Sequence, residues 1–217
     1  MTTSRKTSIT LVRSVPKKRA RRVEWPLTLR ATILVFHHMA PTLMTADELL
    51  HASIPDKRTE LVRGVLVVRE PAGYNHGRVI ANLTGRLWSH VERTAAGQLL
   101  GAETGFTLFR EPDTVRAPDI AFVHRDRQPD PTSRGFVELA SDLVVEVLSP
   151  DDRPDETLAK VGDWLQAGTR LVWVIDPERR VARVYRAAGS EASVTEAGEL
   201  SGEDVLPDFR CPLASIL

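Results

Sequence analysis

Apolar and polar residues change period several times along this chain, and each change marks an element. Thr45 with Glu48 three residues later is a capping box, which predicts a short helix to about Ala52. A loop from Ile54 to Arg58 follows. In TELVRGVLVVRE, Gly64 divides two strand-like runs, so a tight hairpin is expected there, ended by Pro71-Ala72-Gly73. Val79, Ile80, Leu83, Leu87 and Val91 then recur at helical spacing. That helix should be capped by Asn75, run to about Arg93 and stop at Gly97.

Strands are expected over about Gln98–Gly101, Gly105–Arg110, Val115–Val123 and Ala140–Leu148. Glu111-Pro112-Asp113 is a turn between the second and third. Asp155 can cap a further helix that ends at Gly168 in the usual position after a helix C-terminus. RLVWVID reads as a buried strand, with Val181–Arg186 pairing back across the Asp176–Arg180 turn. Short strands and turns follow Ala187. Helices alternating with strands of both kinds give an α/β fold class, an α+β arrangement with one mixed sheet flanked by helices.

Composition changes this picture at the N-terminus. The 217 residues carry 29 basic and 29 acidic side chains. Nine Lys or Arg against one acid, Glu24, fall within residues 1–30, so the remainder holds 20 basic and 28 acidic residues. Residues 1–43 therefore read as a basic extension, in the style of a transit peptide or a basic arm, outside a domain spanning residues 44–217. Met44-Thr45-Ala46 looks like a second start. A single cysteine, Cys211, excludes an intramolecular disulfide framework and suits a reducing, cytoplasmic setting. The apolar run from Ile33 to Met44 is cut by His37, His38 and Pro41 and is too short to span a bilayer.

Candidate chemistry lies between Val115 and Lys160. VRAPDIAFV and SDLVVEVLSP each place one acid, Asp119 or Glu146, within an apolar run. Burying a carboxylate is costly unless its charge is offset. Asp119 shares a face with Val115, Ala117, Ala121 and Val123, and Pro118 limits ladder pairing beside it. Glu146 has apolar neighbours on both sides, as in a strand covered on both faces. Two such acids suggest a divalent metal. The plainer alternative is a buried acid paired with one of 24 arginines. Lys160 stands out because only five lysines occur and only Lys57 and Lys160 lie beyond the basic arm. Lysine is a compact, tunable charge, unlike arginine, although a solvated helix lysine is the ordinary case. Glu60 supplies a third carboxylate if its hairpin lies beside these strands. His76 could contact a phosphate or a metal-bound water, or serve only as a cap.

The segments TELVRGVLVV, NHGRVIANL, VRAPDIAFV, LVVEVLSPDD and KVGDWLQAGTRLVWVIDP together resemble the Uma family of bacterial putative restriction endonucleases, within the PD-(D/E)xK nuclease superfamily. The resemblance covers about Thr45 to Leu217. It implies a restriction-endonuclease-like fold, with Asp119 and Glu146 as metal ligands and Lys160 as the active-site lysine. Glu60 and His76 fall on positions that complete the family's pocket, and the carbonyl of Val147 would be a further ligand. The superfamily's usual lysine position, two residues after the second acid, is Leu148 here, so the role passes to Lys160 on the following helix. Trp164 stands where the family usually has Tyr, and Leu171 where it has an acid.

The implied reaction is phosphodiester hydrolysis, most readily of DNA, with Mg²⁺ as cofactor and Mn²⁺ as a substitute. Lys160 would orient the attacking water or stabilise developing charge. Homodimerisation would bring two sites to a duplex. Arg63, Arg69, Arg78, Arg86, Arg116 and Arg153 are candidates for a basic groove in an otherwise acidic body. The competing expectation is a catalytically silent module that keeps the fold and binds nucleic acid or protein; an intact Asp119, Glu146 and Lys160 set argues against it.

Overall fold

The computed structural model describes residues 43–52, 54, 55 and 57–217. Residues 1–42, most of the expected basic extension, lie outside the described residues. The capping box forms as expected. Thr45 accepts from the Glu48 amide, the Glu48 carboxylate accepts from the Thr45 amide, and α1 (Ala46–His51) follows. β1 (Arg58–Val62) and β2 (Val65–Arg69) make the hairpin, joined at Val62↔Val65. Its two turn residues, Arg63 and Gly64, have φ of 50° and 77°, the left-handed pair that a two-residue hairpin turn requires.

α2 (Tyr74–Thr94) starts two residues earlier than Asn75 would allow as a cap. Gly73 is the N-cap, and the Asn75 side chain accepts from Arg78 inside the helix. Ala95, left-handed at φ 51°, ends the helix, so Gly97 is not its stop. Gly97 instead opens β3 (Gly97–Gly101), where a Cβ would sit 2.1 Å from the Val123 carbonyl oxygen. β4 (Phe106–Phe109) and β5 (Thr114–Arg116) precede β6 (Ile120–His124).

The expected strand over Val115–Val123 is thus two strands, and they belong to different sheets. Pro118 has no amide to donate and biases Ala117 toward extended backbone, so the ladder breaks at Ala117-Pro118-Asp119. β7 (Leu143–Val147) is followed by α3 (Pro154–Ala167), which begins with Pro154 in its first turn after the N-cap Arg153, not at Asp155. Gly168 closes it as expected. β8 (Leu171–Asp176), β9 (Val181–Arg186) and β10 (Glu191–Thr195) follow, then the ribbon of β11 (Glu199–Ser201) and β12 (Arg210–Pro212).

The mixed sheet flanked by helices is present, but it is not the single sheet expected. Six strands run in the order β10-β9-β8-β7-β6-β3, with β7 and β8 parallel and the other neighbours antiparallel. A second, antiparallel sheet runs β2-β1-β5-β4. α2 covers one face of the large sheet, placing Val79, Leu83, Leu87 and Val91 against Ile120, Phe122, Val145 and Trp173. Leu200, Phe209 and Cys211 from the C-terminal segment join that layer. α3 covers the other face with Val161 and Trp164 against Ala121, Val123, Val144 and Val172. Glu146 lies between Val145 and Val147 on β7, so alternation turns it toward α3.

Gly97→Ala should cost about 1–3 kcal/mol, because a backbone oxygen in the β3–β6 ladder cannot yield to the added methyl without loss of pairing. Urea unfolding followed by circular dichroism measures this. An unchanged midpoint would contradict the close approach.

Candidate active site

The break in the chain between β5 and β6 places Asp119 at the junction of the two sheets. The β6–β7 register pairs Ile120 with Val145; carried one residue further, it sets Asp119 opposite Glu146. The Val147 amide donates to Asp119 Oδ2 at 2.8 Å. Arg58, from the first residue of β1, donates to Oδ1 at 2.9 Å. His76, in the first turn of α2, reaches around the end of the sheet and sets Nε2 3.2 Å from Oδ2.

Glu146 meets α3. Lys160 and Trp164 lie one turn apart on that helix and so share a face. Lys160 Nζ donates to Glu146 Oε2 at 2.9 Å, and Trp164 Nε1 donates to Oε1 at 3.1 Å. The same ammonium lies 2.9 Å from Glu60 Oε1 and donates to the Ala117 carbonyl at 3.2 Å. Lys160 therefore ties β1, the Ala117-Pro118-Asp119 link, β7 and α3 together. Glu60 is held further by the Ala117 amide and by Arg116. Arg116 also bonds Asp163 of α3.

All five sequence-predicted side chains thus converge. Glu60, His76, Asp119, Glu146 and Lys160, with Val147, line one cavity of ≈ 490 Å³. Asp119 is 2 % exposed, Glu60 5 % and Glu146 7 %, so none is a solvated surface acid. Val147 lines the cavity, and its amide holds Asp119 in place. Arg116 leaves the expected basic groove: it is buried against Glu60 and Asp163, where its charge offsets two acids. Arg58 and Asp163 were not singled out in the sequence. Trp164, noted only as a departure from the family pattern, orients Glu146.

Crowding separates the acids electrostatically. Burial works to raise Glu60, but Lys160, Arg116 and the Ala117 amide outweigh it, and its pKa falls to about 2. Burial likewise opposes ionisation of Asp119, yet the bonds from His76 and the Val147 amide, with the charge of Lys160, hold it below the usual carboxylate range. Glu146 goes the other way. Burial raises it, the pull of Lys160 is insufficient, and repulsion from Asp119 and Glu60 adds to the rise, to about 7. Lys160 is raised despite its burial, because Glu146 and Glu60 both face it. It is an ammonium throughout the neutral range, so its use is as a fixed charge and donor.

No three His, Cys, Asp or Glu heads form a ready metal cluster among the described residues. The donor set nevertheless fits a hard divalent cation. A carboxylate offers about four acceptor positions. Asp119 fills three of these, and Glu146 two, one on each oxygen, with the partners described. Once Glu146 gives up its proton, four carboxylates (Glu60, Asp119, Glu146, Asp163) face three fixed cations (Arg58, Arg116, Lys160). The deficit of one positive charge is concentrated at Glu146. A divalent cation together with a phosphodiester would make that cluster neutral.

The family model Uma2, described as "Putative restriction endonuclease", matches residues 46–214. No curated protein matches the chain. Among solved structures, a crystal structure described as "a putative nuclease belonging to DUF820", from Anabaena variabilis ATCC 29413, is similar with a TM-score of 0.70 at 20% identity. The match covers 80% of this chain and 97% of that one. At that identity the likeness bears on the fold, which is restriction-endonuclease-like.

The raised pKa of Glu146 has a sign that can be checked. Between its ordinary 4.5 and about 7 the folded protein holds a proton that the unfolded chain has lost. This group's contribution to stability is therefore complete below 4.5 and is lost as pH rises through 7. Glu60 does the opposite: its contribution is complete above 4.5 and is lost as pH falls toward 2. In metal-free protein, a carboxyl carbon resonance that vanishes in Glu146→Gln should titrate near neutral pH. A midpoint near 4.5 would remove the crowding described here.

Proposed function

The chain belongs to the Uma2 family of putative restriction endonucleases, and from that membership and the pocket geometry we propose a divalent-cation-dependent endonuclease that hydrolyses phosphodiester bonds in DNA. The observation that carries the reading is the sharing of one buried ammonium, Lys160, by two carboxylates beside Asp119. Buried acids kept only for stability would each have a private partner. Asp142 is such a case: equally buried, it is bonded by Arg127 and the His124 amide, outside the cavity.

Asp119 and Glu146 would hold Mg²⁺, with the Val147 carbonyl as a further ligand and Mn²⁺ as a substitute. The ion would supply Lewis acidity toward the scissile phosphate and its attacking water. The chain's own groups do the rest. Lys160 presents a permanent positive charge to the oxygen anion that develops in the transition state. Trp164 fixes the Glu146 carboxylate from behind, so that its remaining acceptor positions face the cavity. Glu60 holds Lys160 against Glu146 and keeps the ammonium from swinging to solvent. Arg58 and His76 both bond Asp119 and line the cavity, where they would take up a phosphate oxygen. A cytosolic setting accords with one buried cysteine; among the described residues no helix is long and apolar enough to cross a membrane. A homodimer would present two such pockets to a duplex.

Incubation with plasmid, single-stranded DNA and RNA in Mg²⁺ or Mn²⁺ tests this. Wild-type protein should cut DNA, while Asp119→Ala and Lys160→Met should each lose at least about a hundredfold in rate, the scale on which a single charge-stabilising group acts. Cleavage that survives Asp119→Ala counts against the reading. Silence of the wild type on every substrate favours a binding module that keeps the nuclease fold. Separately, Arg58→Gln frees Asp119 Oδ1 from its guanidinium, so Mn²⁺ should bind severalfold more tightly by paramagnetic resonance titration. Weaker binding would mean that Arg58 shapes the site without competing for it.

A further inference from the structure

Beyond the pocket, the arginines are distributed unevenly. Of the eighteen in the described residues, twelve lie in ion pairs. All three on α2, Arg78, Arg86 and Arg93, have no carboxylate partner among the described residues. Their bonds go instead to Asn75, to the Ser215 carbonyl and to His90. The sequence explains why. From Pro71 to Val91 there is no acid at all, in a body that is acidic elsewhere.

The outer face of α2 also carries two exposed aromatic side chains, Tyr74 at 86 % and Trp88 at 50 % exposure. They are fourteen residues apart, close to four helical turns, so both stand along one edge about 21 Å apart. The arginines fall along the other edge. Gly77 and Ala81 fall on the side of the rings and Gly85 between the rings and the arginines, and a Cβ at either glycine would meet nothing. The rings therefore stand on low ground, with a cationic edge beside them. The face begins at the catalytic cavity, which Gly73 and His76 line. It ends in a groove of ≈ 540 Å³ where Arg86 and Arg93 meet Arg210 of β12, which is itself paired with Glu199. The acids on it are Glu92, in the last turn, and Asp208 across the groove.

We propose that this face of α2 is the track along which single-stranded DNA leads to or from the cavity. The inference rests on the nuclease reading above and adds the path and strandedness of the substrate. Unpaired guanidinium groups suit phosphates, and exposed aromatic rings suit the faces of unpaired bases, which a duplex would keep stacked. The span between the two rings matches about six stacked nucleotides at 3.4 Å each. A second copy of the chain is a poorer occupant. A two-fold contact on this face would set like charges against one another.

The test is fluorescence anisotropy of the full chain with labelled single-stranded and duplex DNA in EDTA, so that binding is read without cleavage. The triple variant Arg78→Glu, Arg86→Glu, Arg93→Glu should bind single strands at least about tenfold more weakly. The slope of log affinity against log salt should fall by about two, near 0.7 for each phosphate no longer neutralised. Trp88→Ala should lower single-strand affinity about fivefold or more and leave the salt slope unchanged. Far-ultraviolet circular dichroism of the variants checks that α2 remains folded. Unaltered affinity and slope in the triple variant overturn the track. So does a loss confined to duplex DNA, or a change only in the protein's self-association. If the binding changes appear while the wild type cuts nothing in Mg²⁺ or Mn²⁺, the nuclease reading falls and the track stands. Cleavage with normal variant binding gives the reverse.

Discussion

One ammonium shared by two buried carboxylates is the constraint on which the rest of the molecule depends. Lys160 lies within 2.9 Å of both Glu60 and Glu146. Those acids come from different sheets and Lys160 from a helix, so the arrangement exists only when all three are docked. Removing the lysine would leave two buried charges short of a partner, a far larger penalty than loss of a surface ion pair. The apolar layers on the two faces of the large sheet position α2 and α3, and Phe106 of the small sheet joins the layer under α3 by packing on Trp164; the shared ammonium adds the polar tie between the sheets.

That meeting is arranged by the backbone at Ala117-Pro118-Asp119. A continuous strand would have carried Asp119 into the ladder, with its neighbours paired on both sides. Pro118 interrupts the ladder, and the carboxylate takes an amide hydrogen from Val147 in place of a main-chain partner. The Ala117 amide and carbonyl, also released from pairing, bond Glu60 and Lys160. The three residues that leave the sheet thus supply three hydrogen-bonding groups to the cavity.

Much of this was legible in the sequence, for reasons that can be named. Asp119 and Glu146 stood out because an acid in an apolar run must be offset. Lys160 stood out because lysine is rare in this chain. The Gly64 hairpin and the Gly168 helix end followed from backbone conformations that few residues tolerate. Other features were not legible. The division into two sheets escaped because, although Pro118 marks a weak point in the ladder, neither it nor alternation records which sheet each half of the run joins. Arg58, Asp163 and the true partners of Arg116 escaped because with 24 arginines no local pattern says which guanidinium meets which acid. Asn75 was a sound capping residue by type, yet the chain entered the helix earlier, at Gly73.

The β1–β2 turn matters well beyond its own hairpin. Two residues, Arg63 and Gly64, fix which side of β1 faces inward. Strand side chains alternate, so a slip of one residue would turn Glu60 into the apolar cluster of Leu49 and Val115, where Leu61 now packs, and bring Thr59 or Leu61 to the cavity. The left-handed pair therefore acts as an index mark: it sets the phase of the small sheet, and through that phase it decides whether the cavity contains its third carboxylate.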